Sequence, residues 1–170
     1  MPKIEAFIDN ISTYCVDGVD FLTELLPKFP SVEVDWRQIE GHPKLEEPEH
    51  SPHVDLIVRG SLYIKDNGGD ELGFIRRIFK VHFEEKRSIE DVSVLVECAT
   101  DVGVDATAFE AALFDQKYEK AQLDANDYAY EKKGVWFVPT FVCDDIRLDA
   151  VEGIGVTKEQ VEDFLTKCCK

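Results

Sequence analysis

Two stretches far apart in the chain carry residues whose types and spacing suit chemistry on sulfur. The first reads Asp9-Asn10-Ile11-Ser12-Thr13-Tyr14-Cys15-Val16-Asp17-Gly18, with Ser12 and Cys15 spaced as the two cysteines of a Cys-x-x-Cys redox turn. In such a dithiol the first sulfur sits at a helix N-terminus, where backbone N–H groups and the helix dipole stabilise a thiolate. A hydroxyl at that place forms no disulfide. Thiol–disulfide exchange runs through a mixed disulfide that a second thiol resolves, so Ser12-Thr13-Tyr14-Cys15 cannot complete a dithiol cycle by itself. Serine can instead donate a hydrogen bond to a thiolate that another molecule brings, with the helix dipole helping to hold the charge. The second stretch, Gly134-Val135-Trp136-Phe137-Val138-Pro139-Thr140-Phe141-Val142, is an apolar strand entered through a Val-Pro bond.

Each of these residues also has a plain structural reading. Ser12 is a good helix N-cap, worth about 1 kcal/mol, and one hydroxyl can cap and donate. Cys15 reads as a small buried hydrophobe, or as a monothiol that forms mixed disulfides with an external partner. Cys143 is no resolving thiol for the turn: on a strand it lies about 13 Å beyond Pro139 at roughly 3.3 Å per residue, and a disulfide needs Cα atoms within about 7 Å. Tyr14 and Trp136 read as pocket walls or as core aromatics. Cys98 sits in an apolar helical stripe and reads as core, while Cys168 and Cys169 read as frayed terminal thiols, with soft-metal binding or oxidative dimerisation as alternatives. His42, His50 and His53, with Glu46, Glu47, Glu49 and Asp55, are metal-ligand types. They lie in or beside a proline-rich loop with no helical frame, and no metal is expected.

The elements that must position these groups follow from periodicity. Lys3 to Ile11 alternates as a strand, and Val16, Val19, Leu22, Leu25, Leu26 and Phe29 recur at helical spacing until Pro27 and Pro30. Val32, Val34 and Trp36 alternate with charged residues as a second strand, giving a βαβ unit of parallel, right-handed connection. Residues 41–53 read as a loop. From Val54 to Lys133 the patterns are helical, with segments around Ile64, Phe74 to Phe83, Val92 to Ala99, Asp105 to Phe114 and Glu119 to Lys133. The period then returns to two. Thr140 to Cys143, a turn at Asp144-Asp145, and Arg147 to Val151 form a hairpin, and Thr157-x-x-Gln160 is a capping box opening the last helix. The expected architecture is α/β, with a discontinuous sheet domain over residues 1–45 and 134–170 and an inserted helical domain over residues 54–133.

Composition narrows the partners. The 170 residues include 35 acidic and 19 basic side chains, for a net charge of −16, so surplus cations for nucleic acid or anionic membranes are missing. No stretch reaches the ~18 apolar residues of a membrane span, and no secretory leader is legible at Met1-Pro2-Lys3-Ile4-Glu5. Five cysteines without a framework read as free thiols in a reducing compartment, so a cytoplasmic protein is expected.

This order of elements resembles the DsbA-like thioredoxin-fold superfamily, within it the branch of cytosolic DsbA-family oxidoreductases, 2-hydroxychromene-2-carboxylate isomerases and kappa-class glutathione transferases. Beside the two motifs, the resemblance rests on Val32-Glu33-Val34-Asp35-Trp36-Arg37, on Phe83-Glu84-Glu85-Lys86-Arg87-Ser88-Ile89-Glu90-Asp91, and on Ala108-Phe109-Glu110-Ala111-Ala112-Leu113 followed by Tyr118. It implies a thioredoxin-like fold with a helical insertion and a cis bond at Pro139. It also implies that the Val138 backbone pairs with the extended peptide part of glutathione. Oxidoreductases of the branch have Cys-Pro-x-Cys at the turn; the transferases and isomerases place serine first, as here.

Three functions remain open. One is thiol chemistry dependent on glutathione or another low-molecular-weight thiol, with Ser12 stabilising the bound thiolate, Thr13, Tyr14, Trp136, Val138 and Pro139 binding it, and an electrophilic organic substrate as acceptor. The second is disulfide chemistry through Cys15 as a monothiol, which requires an accessible Cys15 of low pKa. The third is a non-enzymatic module that binds a peptide along the Val138 edge. The resemblance also admits a homodimer, although no seam in the sequence marks an interface.

Overall fold

The structure, a computed structural model of the chain, describes residues 1–41 and 52–170. The first strand, β1 (Lys3–Ile8), has Ile4, Ala6 and Ile8 on one face and Phe7 on the other, all fully buried. Both faces are covered because the strand lies inside the sheet. β2 (Glu33–Gln38) runs parallel to it, with Lys3 opposite Glu33 and Ile8 opposite Gln38. β3 (Thr140–Cys143) lies antiparallel on its other side, with Ala6 opposite Phe141, and β4 (Ile146–Asp149) pairs antiparallel with β3. The strand order is β2-β1-β3-β4, a four-stranded mixed sheet.

The helix α1 (Thr13–Leu25) follows β1 and turns Cys15, Val19, Leu22 and Leu25 to the sheet, a spacing that keeps them on one face. A 3-10 turn at Leu26–Lys28, with Pro27 in it, ends the helix. The same face of the sheet receives α7 (Lys158–Cys168), opened by the reciprocal capping box of Thr157 and Gln160. The opposite face buries Phe7 and Val142 with Ile39, Ala129 and Val135.

Between β2 and β3 come α2 (Asp55–Asp66), α3 (Glu71–Phe79), α4 (Val92–Asp101), α5 (Ala106–Leu113) and α6 (Gln116–Asp127). They have a core of their own, with Phe74, Ile78, Leu95, Cys98 and Phe109 at its centre. Asp70, Asp91, Asp105 and Asp115 each accept a hydrogen bond from a backbone N–H of the helix they precede, so part of the acidity is spent on caps. Wide π-type turns continue α3 over Lys80–Glu84 and α6 over Tyr128–Lys132. No helix among the described residues is long and apolar enough to cross a membrane.

Three boundaries differ from the sequence reading. β1 stops at Ile8 rather than Ile11, because the Asp9 carboxylate accepts from the Ile11 N–H and the Asp9 carbonyl accepts from the Ser12 N–H, bending the chain into α1. The Asp115 cap starts α6 at Gln116 instead of Glu119. β4 ends at Asp149, since Val151 pairs with Gly155 in a tight turn of its own. The domain limit placed at residue 45 falls outside the described residues.

Candidate active site

The sheet brings the two motifs together at the C-terminal end of β1. Ser12 is the N-cap of α1, in extended conformation, and its hydroxyl accepts a hydrogen bond from the Cys15 N–H at 3.3 Å. That use of one lone pair leaves the O–H free to donate. The N–H groups of Thr13 and Tyr14, the first of the helix, have no hydrogen bond among the described residues, as expected of a helix N-terminus.

Cys15 points the other way. It is 0% exposed, and its sulfur accepts from the Asp9 N–H at 3.4 Å. Burial pushes its thiol up to about 12, against smaller lowering effects from the Asp9 N–H and Ser12. A group in that state is a packed side chain, with negligible thiolate at neutral pH.

The Val138-Pro139 peptide bond is cis. Pro139 is buried and packs on α1 at Gly18, where a Cβ would come within 2.7 Å of the proline Cγ, so only glycine lets the helix and the loop approach so closely. The loop is tied on both sides: the Thr140 hydroxyl donates to the Phe137 carbonyl at 2.6 Å, and the Ala150 N–H to the Pro139 carbonyl at 3.0 Å. The Val138 backbone takes no hydrogen bond among the described residues.

Between the turn and the loop lies a cleft of about 320 Å³, lined by Ser12, Tyr14, Trp136, Phe137 and Val138 together with Asp9, Ile11, Gly41, Tyr130 and Val135. Tyr14 and Trp136 flank Phe137, their ring centroids 5.9 and 6.2 Å from its own. Trp136 is 69% exposed, so it forms the rim of the cleft and not part of the core. Of the residues singled out in the sequence, Ser12, Tyr14, Trp136 and Val138 meet in this cleft. Thr13 is exposed beside it, and Cys15 and Pro139 are buried behind its wall.

The floor was not foreseen. Asp9 is 2% exposed, and its carboxylate accepts from the Gly41 N–H at 2.6 Å and from the Ile11 N–H at 3.2 Å. Tyr130 donates its hydroxyl to the Glu40 carbonyl, and burial pushes the phenol up to about 12. The Glu40 carboxylate is buried against the side-chain amides of Gln122 and Asn126, and burial raises its pKa despite those bonds. Asp9 stands in the first motif, where a signal existed; Gly41 and Tyr130 carry no signal that links them to it.

Among the described residues no three His, Cys, Asp or Glu side chains converge to hold a metal. His53 gives its backbone N–H to Glu90, and Asp55 pairs with Arg59 at 3.8 Å. His42, His50, Glu46, Glu47 and Glu49 lie outside the described residues.

Residues 3–165 match the family model of the DSBA-like thioredoxin domain. The Bacillus subtilis protein YwbO is 26% identical over 194 aligned positions, covering 94% of this chain and 96% of its own. A probable DsbA oxidoreductase from Streptomyces coelicolor superposes with a TM-score of 0.85 at 18% identity, over 99% of this chain and 90% of that one. The cytosolic disulfide reductase DsbM from Pseudomonas aeruginosa, solved with GSH, superposes with a TM-score of 0.73 at 16% identity, over 97% and 98% of the two chains. At these identities the structural likeness carries the fold.

Proposed function

The chain belongs to the DSBA-like thioredoxin domain family, and from that premise we propose that it binds a low-molecular-weight thiol, glutathione in the first instance, in the Ser12 cleft. There it holds the thiol as thiolate for addition to, or isomerisation of, an electrophilic organic substrate. The observation that carries this reading is the asymmetry of the turn. Ser12 lines the cleft, while Cys15 is fully buried with its thiol pushed up to about 12.

A thiolate seated at the N-terminus of α1 would take the Ser12 O–H as a charge-assisted donor, with the unpaired first-turn N–H groups adding to the favourable potential. The unpaired Val138 backbone suits an extended peptide-like thiol, which would add to that edge as a short strand. Tyr14, Phe137 and Trp136 offer aromatic surface for the acceptor. The proton lost by the thiol passes to solvent and, after addition, returns to the substrate, so the step needs no oxidant. The GSH bound to DsbM is compatible with this choice of thiol, and that protein's cytosolic setting with a cytoplasmic one here.

Disulfide chemistry through Cys15 is the second reading, favoured by the oxidoreductase names of the structural neighbours. It needs α1 to open before the sulfur can be reached.

Calorimetric titration with reduced glutathione tests the proposal. Binding at or below about 1 mM, roughly 4 kcal/mol, is expected. Absence of heat at that concentration, with no competition by other small thiols, would remove the thiol-dependent reading.

A further inference from the structure

Both β3 and α7 end in a cysteine. Cys143 closes the strand and is 3% exposed; Cys168 closes the helix and is half-buried against the same core. Cys143 belongs to the apolar cluster against which Cys168 packs, the Cys143 thiol is the neighbour that most affects the Cys168 thiol, and both thiols are free. The pair stands at the opposite end of β3 from Pro139, and neither residue lines the Ser12 cleft. One thiol partly reachable from solvent and one buried behind it, on elements that the fold already holds together, is the arrangement in which the first takes up an oxidant and the second resolves it.

We propose that Cys143 and Cys168 form a reversible intramolecular disulfide, a redox site separate from the Ser12 turn, which a small organic disulfide RSSR closes and small thiols reopen. The Cys168 thiolate attacks one sulfur of RSSR. A Cys168–S–S–R bond forms, the RS–SR bond breaks, and the departing RS⁻ takes up a proton equivalent to the one Cys168 gave up. The Cys143 thiolate then attacks the Cys168 sulfur, displaces the second RS⁻, and the Cys143–Cys168 bond closes. Two protein thiols are oxidised to one disulfide and RSSR is reduced to two RSH.

Burial, then the Cys143 hydrogen bond, then the charges of Cys143, Cys169 and Asp144 push the Cys168 thiol up to about 12. The first step is therefore slow at neutral pH and accelerates about tenfold per pH unit below that value.

The test is incubation of the reduced, full-length protein with glutathione disulfide, an acid quench, thiol counting in denaturant and peptide mapping. Free thiols are expected to fall from five to three as two are joined, the mass to drop by two hydrogens, and the map to link Cys143 with Cys168. Cys143→Ser should leave glutathione attached to Cys168, and Cys169→Ser should leave the bridge unaffected. Retention of all five thiols, an adduct at Cys169 alone, a Cys168–Cys169 bridge, or a bridge between two chains would each overturn the assignment. The wild-type map decides the matter even if a variant fails to fold.

Discussion

Replacing Ser12 by alanine removes two separable things. One is the cap: the hydroxyl accepts from the Cys15 N–H at 3.3 Å, and losing such an acceptor costs about 1 kcal/mol of folding stability. The other is the donor that faces the cleft, whose hydrogen bond to a thiolate is worth about 1.5–3 kcal/mol. At 1.36 kcal/mol per pKa unit, loss of that bond raises the pKa of the bound thiol by about 1–2, and the thiolate fraction at neutral pH falls by about 10- to 100-fold. The affinity of the thiolate form falls by the same factor. Ultraviolet absorbance of the bound thiolate against pH reads the first quantity, calorimetry the second, and denaturant unfolding the cap. Ser12→Asn keeps an acceptor for the Cys15 N–H and an amide donor, so it should recover stability and part of the thiolate. A Ser12→Ala protein that loses about 1 kcal/mol of stability but binds glutathione with an unchanged thiol pKa would refute the reasoning, leaving Ser12 as a cap alone.

Cys15 should resist iodoacetamide in the native protein at pH 8, because a thiol near 12 with no exposed surface presents about one thiolate in ten thousand; native labelling as fast as that of Cys169, read by mass spectrometry, would restore the monothiol mechanism. Gly18→Ala places a methyl 2.7 Å from the Pro139 Cγ, so α1 and the loop must part. An overpacking cost of about 1–3 kcal/mol and weaker glutathione binding are expected from unfolding and calorimetry, and unchanged values of both would show that the contact is slack. Glu71, on α3 between Lys65 and Asp35, is pushed up to about 7 from 4.5, chiefly by burial. The folded state therefore binds more protons than the unfolded chain between these values. The stability Glu71 lends is complete below about 4.5 and is lost as pH rises through about 7, by at most about 3 kcal/mol. Glu71→Gln should flatten that slope, as measured by denaturation midpoints at pH 5 and pH 8; a slope equal to wild type would assign it to other groups.

The elements were legible where a two- or four-residue pattern ran without interruption. The alternation from Lys3 announces a strand, and Val16, Val19, Leu22 and Leu25 a helix face, because one side of each packs into the core. Boundaries were less legible because single side chains set them. Asp9 turns the chain after Ile8, and Asp115 starts α6 early. The π-type turn over Tyr128–Lys132 adds a residue to the helical repeat, which the periodicity cannot register. Tyr130 sits in that turn and so reaches the cleft unannounced. The site divides in the same way. Ser12, Tyr14, Trp136 and Val138 belong to two motifs recognisable in themselves. Gly41 joins them only because β2 runs parallel to β1, which brings the residue after the strand end beside Asp9.

The electrostatics of the cleft limit where thiolate stabilisation can originate. A net charge of −16 gives the molecule a field that repels any anion. Salt screens that field beyond about 8 Å under physiological conditions. Asp9 lies well inside this range because it lines the same cleft as Ser12. Its carboxylate receives the N–H groups of Gly41 and Ile11. In the proposed complex, the donors at hydrogen-bond range of a thiolate are the Ser12 hydroxyl and the first N–H groups of α1. Directional donors of this kind weaken steeply when misplaced, and a shift of about 1 Å can cost about 100-fold in rate. In the proposed mechanism the close seating of Pro139 on Gly18, which sets the distance between the turn and the loop, therefore matters to the chemistry alongside the serine.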